Sequence, residues 1–438
     1  MIMKIRLVFI MLLCCIIFSY AQKPIIQTKY TADPAPMVYN DTVFLYTSHD
    51  EDDAEGFKML DWLLYTSTDM VNWTEYGAVA SLKDFNWVPQ DNGAWAVQCI
   101  ERNGKFYLYC PMHGSGIGVL VSDSPYGPFK DPLGKRLIDT DHVWNDIDPS
   151  LFIDDDGQAY LYWGNPDVYY VKLNEDMVST SGEVVKVASK PDNYQEGPWV
   201  WKNEDNYYLG YAATCCPEGL GYAMSDAPTG PWEYKGMIMD ATEKTRGNHP
   251  GIIEYKGKSY AFGHSYDILK SKTSKFYERR SVDAAELIYN VDGTIQTIPY
   301  WNDEGPQQIG YLNPFKKVEA ETIAWSEGVK TEKKNRLIFV TNVQSGDYTM
   351  VEKADFGNGS KSFSISAVPI SGGEIEIHLD EKSGSLISTC EIEKDDSTHS
   401  FELFHSKTKK IKGVHDIFFV YKGGEGDLFN LDYWKFQK

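Results

Sequence analysis

The chain has 438 residues with 63 Asp and Glu against 42 Lys and Arg, a formal charge of -21. That charge excludes phosphate backbones and anionic lipid surfaces as partners, so neither nucleic-acid binding nor membrane insertion is expected. The length calls for more than one core, and 14% aromatic residues with 36 Gly describe a folded, turn-rich protein.

Residues 1–21 carry Lys4 and Arg6, an apolar stretch from Leu7 to Ile17, and a small-residue exit at Ala21. The stretch is too short to span a bilayer and has the layout of a cleavable signal peptide, which predicts a periplasmic or secreted protein. Leu12 and Leu13 precede Cys14 where a lipid-attachment box needs a small residue. Beyond the leader stand Cys99, Cys110, Cys215, Cys216 and Cys390. Their odd number and spacing fit neither a zinc ribbon nor a dense disulfide framework. Buried free thiols are the expectation, with a Cys99–Cys110 bridge across a hairpin as the alternative.

Five segments then repeat one pattern: a short apolar strand, a polar turn, and an aromatic-rich strand. They start at Asp33, Ala94, Asp148, Glu196 and His249, roughly 50 to 60 residues apart. The turns Asn40-Asp41, Asn103-Gly104, Asp156-Gly157, Asp205-Asn206 and Lys256-Gly257 use residues that tolerate positive φ, as two-residue hairpins require. A third strand and a polar edge follow. Each unit has the length of a four-stranded blade, so residues 24–312 are expected to form a five-bladed β-propeller. Gly114 to Gly118 has a glycine-rich look but lies between strands, with no helix to carry a nucleotide.

Near residue 314 the blade pattern ends. Period-two strands such as Lys361 to Val368, Glu374 to Leu379 and His415 to Tyr421 predict a β-sandwich (jelly-roll) module over 315–438, making the whole chain all-β. A module hung on such a boundary should leave whatever the first part does to small soluble molecules intact when removed. The pieces Val318 to Glu321, Gly346 to Tyr348, Gly372 to Asp380 and Phe429 to Asp432 resemble the family 6 carbohydrate-binding modules. That resemblance implies a structural calcium held by Glu319, Glu321 and Asp432, and hard oxygen ligands suit this ion.

The innermost strand of a propeller blade begins at the central channel, so equivalent positions of different blades converge there. At the strand starts stand Asp33, Asp148, Glu196 and His249, with Trp95 in the second unit. Three acids and a histidine are costly to bury unless they serve one another or a ligand. Two carboxyls flanking a glycosidic bond supply its acid and base, and a third raises the acid's pKa by repulsion. By contrast, Asp154 to Asp156 reads as a solvated turn, and His49 to Asp53 as a solvated loop, with the lining of a cleft mouth as the alternative.

Ala32 to Pro36, Asp146 to Ser150 and Glu196 to Trp199 resemble the three acidic signatures of glycoside hydrolase family 43. The resemblance implies an inverting mechanism with Asp33 as base, Glu196 as acid, and Asp148 orienting and tuning the acid. His249 and Trp95 would face substrate. His264, in Phe262-Gly263-His264, resembles a channel histidine beside which the family often holds a second ion; Gly263 stands where an aromatic is common. Arg280 resembles a substrate-contacting arginine, with a structural salt bridge as the alternative. The motifs Tyr46 to Asp53 and Thr68 to Trp73 look most like the arabinoxylan-debranching branch, which implies removal of α-L-arabinofuranosyl groups from a plant-cell-wall polysaccharide by a monomer. The rivals are an exo-acting β-xylosidase on xylo-oligosaccharides, a non-catalytic sugar-binding propeller, and a retaining fructan hydrolase, whose signature is missing before Asp33.

Overall fold

The structure, a computed structural model, describes residues 24–142, 145–301, 305–394 and 400–438; the leader, with Cys14 and Cys15, lies outside them. Apart from the helix Asp267–Lys272 and the 3-10 turn Leu82–Asp84, the regular elements described are strands. Five antiparallel sheets follow one another along the chain, beginning with the strands Tyr30–Tyr39, Gln98–Arg102, Ser150–Ile153, Tyr194–Asn203 and Gly251–Tyr255. These innermost strands neighbour one another in order, and Tyr30–Tyr39 packs on Gly251–Tyr255, so the ring closes first sheet on fifth.

Sheet stacks on sheet, which leaves middle strands with two covered faces. Lys105–Met112 and Asn206–Ala213 are accordingly buried at nearly every position, while Thr180–Lys186, outermost in the third sheet, is exposed throughout. Between sheets lie large side chains such as Trp62, Trp163, Tyr208 and Tyr211. Each such apolar side chain contributes roughly 1.5–3 kcal/mol on burial.

Hairpin chemistry follows the predicted turns, with one shift. Asn40, Asp41, Asn103, Gly104, Gly157, Lys256 and Gly257 all take positive φ. In the fourth sheet Asn203 pairs with Asn206, so the turn is Glu204-Asp205 and Glu204 carries the positive φ.

From Val318 onward two sheets face each other. One is built around Phe429–Gln437 and Ser362–Pro369, the other around Tyr348–Asp355 and Val414–Lys422. Phe363, Phe419, Trp434 and Phe436 fill the space between them. The linking residues already pair with this module, through Leu312 and Ala354. Cys99, Cys110 and Cys390 are buried free thiols, whereas Cys215 and Cys216 are bonded to each other, a pairing the spacing argument did not foresee.

Candidate active site

Asp33, Asp148 and Gly197 each precede a proline at a strand start, and each has positive φ, 51°, 57° and 62°. Two aspartates in this sparsely populated region store local strain of the kind that collects at functional sites. The shared register position is therefore Asp33, Asp148, Gly197 and His249, and Glu196 stands one residue before it. That offset, set among bulges around Glu196, leaves its side chain 19% exposed against 4% for each aspartate. A Cβ at residue 197 would come within 2.9 Å of the His249 ring, so only glycine lets the histidine in.

His249 sits among the three acids. Its Nδ1 is 3.7 Å from Asp33, and its Nε2 is 3.8 Å from Asp148 and 3.6 Å from Glu196. Burial alone would neutralise the imidazole, but Asp148, Asp33 and Glu196 push its pKa up to about 10, so it is an imidazolium. Asp148 is raised to about 7, by burial first and then by Glu196 and Asp33, against the pull of His249; it accepts the Gly197 N–H at 3.3 Å. Its carboxylate lies within 4.8 Å of that of Glu196. Asn165 donates to Glu196 Oε2.

Asp33 is treated in the opposite way. Arg280 Nη1 donates to its Oδ1 at 2.9 Å and the Ser48 hydroxyl to its Oδ2 at 2.7 Å. Burial pushes its pKa up, yet Arg280, His249 and His264 together hold it below the usual carboxylate range. Arg280 is fixed from behind by Asp50, which accepts Nε at 3.0 Å, Nη2 at 2.9 Å and the backbone N–H at 2.8 Å. So Arg280 borders the cavity, but its guanidinium is committed to two carboxylates. His264 donates Nε2–H to the Arg246 carbonyl at 3.0 Å, and burial, then Arg280, lower its pKa to about 3. The space an aromatic at 263 would take is filled by Trp301, 2.5 Å from where a Cβ would stand.

These groups open into a cavity of about 210 Å³. Trp95 forms one wall, stacked on His113 with ring centroids 3.8 Å apart, and Phe57 another, over the Arg280 guanidinium at 5.1 Å. The structure thus brings together Asp33, Asp148, Glu196, His249, Trp95 and Arg280, with His264 behind Asp33. The motif analysis did not single out Phe57, Met59, Asn165 or Gly247 of the lining, nor Asp50 and Glu218 behind it. Asp50 corrects the reading of His49 to Asp53 as a solvated loop, since it is fully buried on Arg280. Glu218, 1% exposed, accepts the Asn248 N–H at 2.7 Å and so anchors the segment that presents Gly247 and His249; its pKa is raised to about 7 by burial and by Glu196. Following Pro217 after a turn, nothing in the sequence marks it as buried.

Two family models match the chain, Glycosyl hydrolases family 43 over residues 21–295 and Carbohydrate binding module (family 6) over 319–438. The chain belongs to glycosyl hydrolase family 43. It is 33% identical to an arabinoxylan arabinofuranohydrolase of Bacillus subtilis (strain 168), covering 94% of this chain and 92% of that protein. A xylosidase/arabinosidase of Bacteroides ovatus is 29% identical over 63% of this chain and 96% of its own length. Among solved structures, a family 43 arabinoxylan arabinofuranohydrolase from Bacillus subtilis, crystallised with cellotetraose, superposes with a TM-score of 0.84 at 30% identity, covering 95% of this chain and 97% of that one. Like its relatives, the chain is a glycosidase, and it is built as a propeller followed by a β-sandwich.

Proposed function

We propose that this glycosidase is an inverting α-L-arabinofuranosidase that removes arabinofuranosyl side chains from arabinoxylan. The observation that carries the reaction is the division of labour among its acids. Asp33 is kept ionised by Arg280, while Glu196 sits nearer the cavity mouth on the far side of the His249 ring. The His249 ring turns Nδ1 toward Asp33 and Nε2 toward Glu196, so the two carboxylates do not share a proton directly, and a separated pair is what an inverting reaction uses. Asp33 takes a proton from water as its oxygen bonds to the anomeric carbon. The bond to the leaving oxygen breaks as Glu196 protonates it. Asp148, joined to Glu196 through His249 and to the strand through Gly197, orients the acid.

For the substrate, support comes from the extent of the likeness. Similarity to arabinoxylan arabinofuranohydrolases runs through both parts of the chain, whereas that to xylosidases stops with the propeller. A cavity of about 210 Å³ suits one sugar ring with the polymer outside it. Chromatography of the sugars released from arabinoxylan tests this: arabinose with an intact xylan backbone is expected, and xylose without arabinose would overturn it. Residues 1–21 are read as a signal peptide, which places the enzyme in the periplasm or outside the cell, where its polymer is.

The reading includes a structural calcium in the module. Glu321 Oε2 and Asp432 Oδ1 are buried without a hydrogen-bonding partner, and Glu321 is pushed up to about 9 by burial with Glu319, Glu75 and Asp432. Carboxylates left uncompensated in this way fit a hard cation, which Glu319, Glu321 and Asp432 would hold and which would tie the module's first and last strands together. His264 fits a second ion poorly. It offers one nitrogen, belongs to no group of three donor side chains within 4.8 Å among the described residues, and has Arg280 beside it.

A further inference from the structure

The joint between propeller and module is not a tether. Thr322–Ile323 of the module adds to the outer strand of the first blade, with Thr322 opposite Thr74 and Ile323 opposite Trp73, so one sheet runs through both parts. Beside it Glu75, 3% exposed, accepts the hydroxyl of Thr28 at 2.9 Å from the propeller and that of Thr331 at 2.7 Å from the module. Further along, the turn after the blade's third strand docks on the module. Asn72 accepts the Glu352 N–H at 2.9 Å and donates to the Glu352 carbonyl at 3.3 Å. Buried polar groups shared in this way lose partners if the two parts separate, which is costly on both sides.

The same face reaches the catalytic pocket. Lys330 of the module crosses the Tyr30 ring and pairs with Asp52 at 2.9 Å. Asp52 belongs to the segment between the blade's second and third strands whose far end supplies Phe57 and Met59 to the pocket wall.

We infer that the C-terminal module is a brace of the catalytic unit: it completes the first blade and steadies the 51–59 segment of the pocket, so that the binding of small glycosides depends on it. This inference rests on the pocket described above and reverses the expectation that the module is dispensable for soluble substrates. Two measurements on the full chain test it, and the first is indifferent to which pentose is released. In scanning calorimetry one transition should include propeller and module, and Thr331→Val should lower it as a whole. Two independent transitions, only one of them moved, would overturn the inference. In kinetics with an aryl pentofuranoside too small to engage a polymer-binding surface, Lys330→Ala should raise KM roughly two- to fivefold, the range of an exposed ion pair, with kcat and melting temperature held. Asp52→Ala should do the same, and the double variant no more. An unchanged KM in Lys330→Ala would overturn the role in the pocket, and complete loss of activity in the unsubstituted enzyme on every pentoside would instead indict the proposed reaction.

Discussion

Two sets of buried carboxylates, one in the propeller channel and one at the head of the module where it joins the first blade, are balanced in different ways. In the channel, Asp33, Asp148 and Glu196 face two resident cations, the Arg280 guanidinium and the His249 imidazolium. At the head of the module, Glu321 and Asp432 are buried beside Glu75; the cations near them lie at the rim, Lys317 half exposed on Glu319 at 2.9 Å and Lys29 at 4.0 Å from Glu75. A built-in cation fixes which carboxylate is ionised, which is what a catalytic base needs. An acid cluster without one needs a charge from solution and is suited to structure instead.

The largest effect expected from breaking this contrast is in the channel. Asp33→Asn keeps the shape but cannot take a proton, so kcat should fall by about 10² to 10⁴, as steady-state kinetics on arabinoxylan would record, while calorimetry shows a folded protein. Glu196→Gln should be comparably severe on the polymer yet much milder on aryl glycosides, whose phenolate leaves without help; equal losses on both would place the acid elsewhere.

Next comes the cation itself. Asp33 must be ionised to act, and Arg280 and His249 depress its pKa. Removing either charge raises that pKa, so Arg280→Gln and His249→Gln should move the acid limb of kcat/KM upward in pH. The stability that Asp33 contributes is present above its unfolded value of about 3.9 and lost as pH falls through the lower folded one. Both variants should therefore begin to unfold at higher pH than the parent in an acid titration.

At the module end the missing charge is supplied from outside. Calcium should raise the melting temperature, with a stabilisation of about 2.7 kcal/mol at a hundred times its Kd, and a chelator should remove it; Glu321→Gln should blunt that response and leave catalysis untouched. Superimposable transitions would mean that the module balances its acids by protonation alone. The smallest effect concerns Glu218. Glu218→Gln retains the acceptor for the Asn248 N–H and should cost little, whereas Glu218→Ala should lower kcat several-fold as the His249 segment loosens, so the pair separates hydrogen bonding from charge.

How legible the site was depended on whether chemistry repeats along the chain. The strand-start prolines and their preceding acids are periodic, so Asp33 and Asp148 could be aligned without coordinates. Glu196 was found too, but its one-residue offset was hidden, because the repeat's glycine occupies the shared position and only backbone conformation reveals it. Asp50, Asn165 and Glu218 belong to no repeat. Their surroundings are set by segments 30 or more residues away, such as Arg280 for Asp50, and an acid in a polar run looks solvated until its partner arrives. From sequence alone the motif Thr68 to Trp73 points to substrate preference. It lies at the docking turn, where Asn72 meets Glu352, so its resemblance tracks the joining of the two parts and not the sugar pocket.

The central claim is that Asp33 activates water directly against the face opposite the leaving oxygen. Proton NMR during the first moments of arabinoxylan hydrolysis reads this out, before the free sugar equilibrates. The account predicts that arabinose appears first as the β-anomer, inverted from the α-linked side chain. Initial release of the α-anomer would show two displacements through a covalent intermediate, and Asp33 could then no longer be the base.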